Sequence, residues 1–146
     1  MVKTISIMLK FRFLLIALVL GLFSSCESDS IDINNFDSAI IGSWINPSYI
    51  DSTIILEKSS DLKDNEYGIK FMDNGTLIER KNSGFCGTPP IYYTDYNGTW
   101  SIKDSLIQVS VDFWGGKENY KLRLVSVDNN KLKIIKRYED LIYTEN

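Results

Sequence analysis

Apolar and polar residues alternate along most of the chain after residue 39. In the stretch SLIQVSVDF, Ile107, Val109 and Val111 share one face, whereas Gln108 and Ser110 share the other. Alternation with a period of two is typical of a strand in an antiparallel sheet that buries one face and exposes the other. No segment after residue 39 has a comparable helical period, so the pattern predicts an all-β fold.

Eight such segments, separated by turn residues, predict eight strands. They cover residues 40–46, 52–58, 67–73, 76–82, 91–103, 105–113, 119–127 and 131–138. Short strands joined by close turns favour an eight-stranded antiparallel up-and-down barrel or a strongly curved meander, because closure removes exposed edges. The pair Asn97-Gly98 permits either a bulge within one long strand or a hairpin that divides it. Because the alternation resumes at Trp100 and Ile102, one bulged strand is favoured.

The N-terminus has the pattern of an export signal. Lys3, Lys10 and Arg12 precede an apolar run of eleven residues at 13–23, which is shorter than the roughly 20 residues that span a bilayer. The FSSC sequence that ends at Cys26 then resembles the lipobox of bacterial lipoproteins. This resemblance implies that Cys26 becomes the N-terminal residue and carries the lipid. It also implies attachment to the bacterial outer membrane, with the periplasmic side and the cell surface both open.

These features divide the chain into three predicted parts, with Met1 and Met8 both open as the start of translation. Residues 1–25 are a signal peptide, residues 26–38 a flexible acidic tether, and residues 39–146 a single barrel domain. Removing residues 1–25 takes away three of the 16 basic residues and none of the 19 acidic ones, which leaves a net charge of −6. So acidic a chain gives no electrostatic support for nucleic-acid binding, and its predicted membrane contact is the lipid on Cys26.

Several motifs, in their order, resemble those of small bacterial lipocalin-like lipoproteins. Gly42 and Trp44 form a Gly-x-Trp opening in IIGSWI, and the segments YGIKFMDNGTLIE, YNGTWSIKDSLIQV and YKLRLVSVDNNKLKI follow. The resemblance covers residues 40–138 and implies a small antiparallel barrel that is plugged at one end by Gly42 and Trp44. It also implies an interior that in some members holds an apolar ligand. In lipocalins proper a late arginine stacks on that tryptophan, but strand parity places Arg137 on the outer face.

Candidate chemistry is sparse. The chain has no histidine, which removes the Ser-His and Cys-His nucleophile pairs and the commonest zinc ligand. Cys86 lies between glycines in SGFCGTPP, and a small packed residue is favoured over a reactive thiol because no basic residue is adjacent. The sequence therefore favours a non-catalytic protein with no cofactor and no metal site.

Strand parity places the loops at 59–66, 83–90 and 114–118 at one end of the barrel. Cys86, Pro89, Pro90 and Trp114 would form an irregular rim there, which is the candidate site for a ligand or partner. The predicted function is a lipid-anchored envelope lipoprotein that binds a small apolar or aromatic-stacking ligand. The alternative is a protein-interaction or hydrolase-inhibitor module, which a completely filled barrel interior would favour.

Overall fold

The computed structural model describes residues 36–85, 87–103 and 106–144. They form one short helix and eight strands, and no helix among them is long and apolar enough to cross a membrane. Helix α1 is Phe36–Ile40, and the strands are β1 Gly42–Ile50, β2 Thr53–Ser59, β3 Gly68–Phe71, β4 Thr76–Asn82, β5 Tyr93–Lys103, β6 Leu106–Phe113, β7 Gly116–Val127 and β8 Lys131–Tyr143.

The strands close into an eight-stranded antiparallel barrel, which confirms the predicted fold class. The order around the barrel is β1-β2-β8-β7-β6-β5-β4-β3. From β3 to β8 each strand lies beside the next one in sequence, as in an up-and-down meander. The β1–β2 hairpin is inserted the other way round, because β1 pairs with β3 and β2 pairs with β8.

The connection from β2 to β3 therefore crosses β1. It starts after Ser59, which pairs with Ser43 near the start of β1, and it ends at Gly68, which pairs with Ile45. The crossing chain packs closely, since a Cβ on Gly68 would lie 2.8 Å from the Leu62 side chain. The prediction that loop 59–66 lies with the loops 83–90 and 114–118 is thus wrong for its first part, because it assumed that β2 and β3 are neighbours.

Strand β5 is a single strand, as predicted, but it has no bulge at Asn97-Gly98. Its pairing with β4 runs without a register shift from Asn82↔Tyr93 to Thr76↔Thr99. A Cβ on Gly98 would lie 2.5 Å from the Ser110 carbonyl oxygen, so the glycine allows a close approach of β5 to β6. The glycine therefore reflects tight packing in a regular strand.

The alternation of strand directions defines two ends of the barrel. At one, which we call the Trp44 end, β1 begins, and the turns β3–β4 and β7–β8 lie there. At the other, the open end, lie the β1–β2 turn, the loop 83–92 and the turn at 114–115. Buried apolar side chains concentrate toward the Trp44 end, where Phe71 and Trp100 pack edge to face with centroids 5.4 Å apart. This half of the barrel is filled.

Candidate functional site

A group of buried charged side chains crosses the barrel interior toward the open end. The Lys81 ammonium lies 3.0 Å from a carboxylate oxygen of Glu79 and 2.9 Å from one of Glu118. The Lys136 ammonium lies 3.0 Å from the other oxygen of Glu118. Glu79 and Glu118 are only 1% and 7% exposed. We call this set of two acids and two lysines the interior charge cluster.

Two tyrosines complete the cluster. The hydroxyl of Tyr67 donates to one Glu79 oxygen at 2.8 Å, and that of Tyr120 donates to the other at 3.2 Å. The Lys136 ammonium also lies 3.6 Å from the centre of the Tyr120 ring, within the range of a cation–π contact. Every buried charge of the cluster therefore has an opposite charge or a hydrogen-bond donor beside it, which is the condition for burying charge at tolerable cost.

Strand alternation explains how these side chains come to point inward. On β4, Glu79 and Lys81 follow buried Leu77 at intervals of two residues, and on β7 Glu118 precedes buried Tyr120. The same alternation that makes the core thus carries charged residues into the barrel. The signal was present in the sequence, because a charged residue in phase with an apolar face is a candidate buried group. The predicted rim site consisted of loop residues only and therefore did not include these strand side chains.

The surroundings shift the protonation of the cluster. For Lys81, burial lowers the pKa, but the charges of and hydrogen bonds to Glu79 and Glu118 outweigh it, so the net shift is upward. For Glu118, burial raises the pKa, but Lys136 and Lys81 outweigh it and the net shift is downward. The pKa values of Tyr67 and Tyr120 lie well above the usual value, first through burial and then through the Glu79 charge. Lys81 and Glu118 are therefore charged, and the phenols of Tyr67 and Tyr120 are neutral, across the physiological range.

A cavity of about 410 Å³ lies beside this cluster. Its apolar lining comes from residues of β2, β3, β7 and β8: Ile54, Leu56, Ile69, Leu122 and Ile134. Its polar lining comes from Tyr49, Asp51, Ser52, Tyr67, Tyr120 and Lys136. Because Tyr49 lies near the end of β1 and Asp51 lies in the β1–β2 turn, the cavity is located toward the open end.

Three residues of the predicted rim, Pro89, Pro90 and Trp114, lie in loops at the same end and are not among the residues that line the cavity. The rings of Phe85 and Trp114 pack edge to face with centroids 5.7 Å apart, so the loops 83–90 and 114–118 meet as strand parity predicted. Pro89 and Pro90 are exposed and are joined by a cis peptide bond. Cys86 and Cys26, the predicted rim thiol and lipidation site, lie outside the described residues.

The aromatic residues near the rim form a chain of ring contacts. Trp114 also packs on Phe113, which in turn contacts Tyr143 of β8, with centroids 5.5 and 5.6 Å apart. Phe85 is 86% exposed, Tyr143 61% and Trp114 46%. Phe85, Trp114 and Tyr143 therefore form an exposed aromatic surface, whereas the cavity is concave and is lined partly by polar groups.

Near the opposite end, Trp44 is fully buried and donates its indole N–H to the Ile40 carbonyl at 2.7 Å. The Lys58 ammonium lies 4.2 Å from the centre of the Trp44 ring and donates to the Ile41 carbonyl. Arg137 is exposed, in agreement with its predicted outward position. The cation over the Trp44 ring is therefore Lys58 from β2. The resemblance to lipocalins had pointed instead to an arginine late in the chain.

The cluster and cavity together offer recognition more than reaction chemistry. The Glu79 and Glu118 oxygens that share Lys81 are at most 5.9 Å apart, the sum of their 3.0 and 2.9 Å contacts, but the ammonium lies between them. Within the described ranges no group of three or more His, Cys, Asp or Glu side chains is positioned to hold a metal ion.

Comparison of the chain with models of protein families, with curated proteins and with solved structures finds no match. Function is therefore inferred from the cluster, the cavity and the surface of the open end.

Proposed function

We propose that this protein is a non-catalytic, lipid-anchored envelope lipoprotein whose barrel binds a small ligand in the cavity at the open end. The observation that carries the proposal is the cavity of about 410 Å³, which is lined by both apolar and polar side chains. Cavities of this size and composition are typical small-molecule sites. The interior acids are saturated by Lys81, Lys136 and the phenols, which favours a binding role over acid–base catalysis.

The lining residues define the kind of ligand. The isoleucine and leucine side chains of the lining favour a compact apolar or aromatic body. The phenol rings of Tyr49 and Tyr67 offer surfaces for stacking. Asp51 and Lys136 add one acidic and one basic group there, which favours a ligand with a neutral or dipolar end group over one with a large net charge.

Binding of the neutral fluorescent probe N-phenyl-1-naphthylamine tests the proposal. Ile54 lines the cavity, and its neighbour Ile55 points to the outer face of β2. Substitution Ile54→Trp should fill the cavity and weaken probe binding by about tenfold or more, whereas Ile55→Trp should leave binding unchanged. Absence of probe binding to the unaltered protein, or equal effects of the two substitutions, would rule out the cavity as the site. Native mass spectrometry of the purified protein would then search for a retained ligand.

Lipid attachment is tested separately. Metabolic labelling with a fatty-acid analogue should mark the unaltered protein and should not mark the variant Cys26→Ala. The variant should be released into the soluble periplasmic fraction or should retain its signal peptide. Equal labelling of both proteins would contradict the lipoprotein assignment without affecting the cavity.

A second candidate function, a protein-interaction or hydrolase-inhibitor module, is favoured by the exposed aromatic surface of Phe85, Trp114 and Tyr143. Aromatic side chains of this kind frequently anchor protein interfaces. The double variant Phe85→Ala/Trp114→Ala separates the two functions. It should retain probe binding if the cavity is the functional site, and it should lose an envelope complex seen in native gels if the surface is. An unchanged complex would exclude this surface.

A further inference from the structure

Among the residues that the structure describes, the C-terminal half of β8 has a strand partner on only one side. On the side of β7, pairing continues to Tyr143, which lies opposite Gly116. On the side of β2, pairing ends at Ile134, which lies opposite Ile54, because the β1–β2 hairpin turns at residues 51–52. Within the part of the chain that the structure describes, no strand pairs with residues 135–143 on that side. An edge of this length presents main-chain N–H and C=O groups to a further strand.

The sequence of this edge is antisymmetric in charge. Residues 134–142 are IIKRYEDLI, that is, two apolar residues, two basic residues, Tyr138, two acidic residues and two apolar residues. When such a segment pairs in antiparallel fashion with its own copy about residues 138–139, basic Arg137 lies opposite acidic Asp140. Apolar Ile135 then lies opposite apolar Ile142. Opposite charges across an antiparallel pair are favourable and like charges are not, so this arrangement selects a second copy as the partner.

The observed register gives the pairs in detail. Tyr138 lies opposite Tyr120 and Asp140 lies opposite Asn119, so one extra residue, Glu139, forms a bulge. If residues 138 and 139 are counted as one position, each residue of the edge lies on the same face of the sheet as the residue opposite it in the second copy. A bulge and charged side chains are also features that can protect an edge from pairing. The complementary order of the charges is what distinguishes this edge from one that only repels.

With this register, Arg137 lies opposite Asp140 and Ile135 lies opposite Ile142 of the second copy, all on the outer face. Arg137 and Asp140 are exposed, and Ile142 is 54% exposed. The paired segment, residues 135–142, begins directly after Ile134, where pairing with β2 ends. The second copy therefore extends the sheet without displacing any strand of the barrel.

We propose that two copies of this chain associate through antiparallel pairing of β8 residues 135–142, with the two-fold axis at the bulge formed by residues 138 and 139. The two barrels then share one sheet, as is usual for self-complementary contacts with two-fold symmetry. On the inner face, Lys136 of one copy, which lines the cavity, lies opposite Leu141 of the other. Association thus adds an apolar residue beside the cavity wall. The proposal stands independently of ligand binding, because it rests on the edge alone.

Sedimentation velocity of the full chain over a range of concentrations tests the proposal. The unaltered protein should form dimers. Arg137→Asp places acidic residues opposite each other in both symmetry-related pairs and should weaken association about tenfold or more. Asp140→Arg should do the same. The double variant Arg137→Asp/Asp140→Arg restores opposite charges and should restore dimers.

Arg123→Asp is the matched control. Arg123 is exposed on the outer face of β7, opposite Ile135 of the same chain, so it undergoes the same charge change away from the edge. It should leave association unchanged, and circular dichroism should show every variant folded. A monomeric unaltered protein overturns the proposal. So does an equal effect of Arg137→Asp and Arg123→Asp, or failure of the double variant to recover. Hydrogen exchange gives a second measurement, since amide protection at residues 135–142 should rise with protein concentration.

Discussion

Lys81 is the residue whose removal should disturb the barrel interior most directly. Its ammonium is the bridge between Glu79 and Glu118, at 3.0 and 2.9 Å, and its side chain is 15% exposed. The substitution Lys81→Met keeps the length of the side chain and removes the charge. Two buried carboxylates would then remain within 5.9 Å of each other, the sum of the two distances, without the cation between them.

The expected cost follows from the burial of the acids. Breaking a buried ion pair by removing one partner costs about 3–5 kcal/mol, mainly because the other charge remains unpaired in a poor solvent. Here Glu79 keeps its two tyrosine donors and Glu118 keeps Lys136, so the lower part of that range, about 3 kcal/mol, is expected. The double variant Glu79→Gln/Lys81→Met removes both charges and should be more stable than Lys81→Met alone, since no unpaired carboxylate is left at position 79.

The cost should depend on pH in a defined direction. The folded-state pKa of Glu118 is lowered from 4.5, so its contribution is present above that value and is lost as pH falls through the folded pKa. The folded-state pKa of Lys81 is raised from 10.5, so its contribution is present below that value and is lost as pH rises through the folded pKa. The difference between Lys81→Met and the unaltered protein should therefore be largest between about pH 4.5 and 10.5.

Urea unfolding followed by tryptophan fluorescence measures these differences. Lys117→Met is the matched control, because the Lys117–Asp112 pair has the same 2.9 Å distance as Lys81–Glu118 but side chains that are 48% and 52% exposed. That substitution should cost about 1 kcal/mol or less. If Lys81→Met costs no more than Lys117→Met at pH 7, the interior charge cluster is solvated and the reasoning fails.

Two further predictions concern packing. Trp44→Phe removes the donor to the Ile40 carbonyl and should lower the free energy of unfolding by roughly 1–3 kcal/mol. A loss below about 0.5 kcal/mol in urea unfolding would contradict a buried hydrogen bond at this position. Gly98→Ala places a Cβ 2.5 Å from the Ser110 carbonyl oxygen and should lower the free energy of unfolding by about 1–3 kcal/mol in the same assay. The control Gly84→Ala, whose Cβ would meet nothing within 4 Å, should be nearly neutral. Equal effects of the two substitutions would show that β5 and β6 do not approach closely at Gly98.

Strands were predictable from the sequence because their signal is local. For β4 the predicted and observed bounds are identical at 76–82, and for β6 the prediction differs by one residue at the start. Side-chain alternation and turn residues act over a few positions, so no knowledge of the partner strand is needed. The ends of β7 and β8 were harder to predict. Their hairpin extends to Gly116↔Tyr143, and that length is set by pairing between the strands.

The strand order was not predictable by the same means. The choice of β3 or β8 as the neighbour of β2 leaves the alternation of every strand unchanged, because both arrangements are antiparallel and closed. What distinguishes them is the contact of Leu62 with Gly68 as the chain crosses β1. Such a contact connects one loop residue to one strand residue, so it produces no repeating pattern of apolar positions in the sequence. The position of the first part of loop 59–66 was predicted wrongly for the same reason, because it depends on the strand order.

The cavity and the interior charge cluster depend on each other. A barrel of eight strands is narrow enough for side chains to fill, as Phe71 and Trp100 do toward the Trp44 end. Apolar residues at positions 79, 81 and 118 would be expected to fill the other half as well, with equal or greater stability. Charged groups cannot collapse in this way, because each must keep its partner at hydrogen-bond distance, as Glu118 does with Lys81 and Lys136. The cluster thus ties β4 to β7 and β8 across the barrel interior, and the space beside Tyr120 and Lys136 stays open.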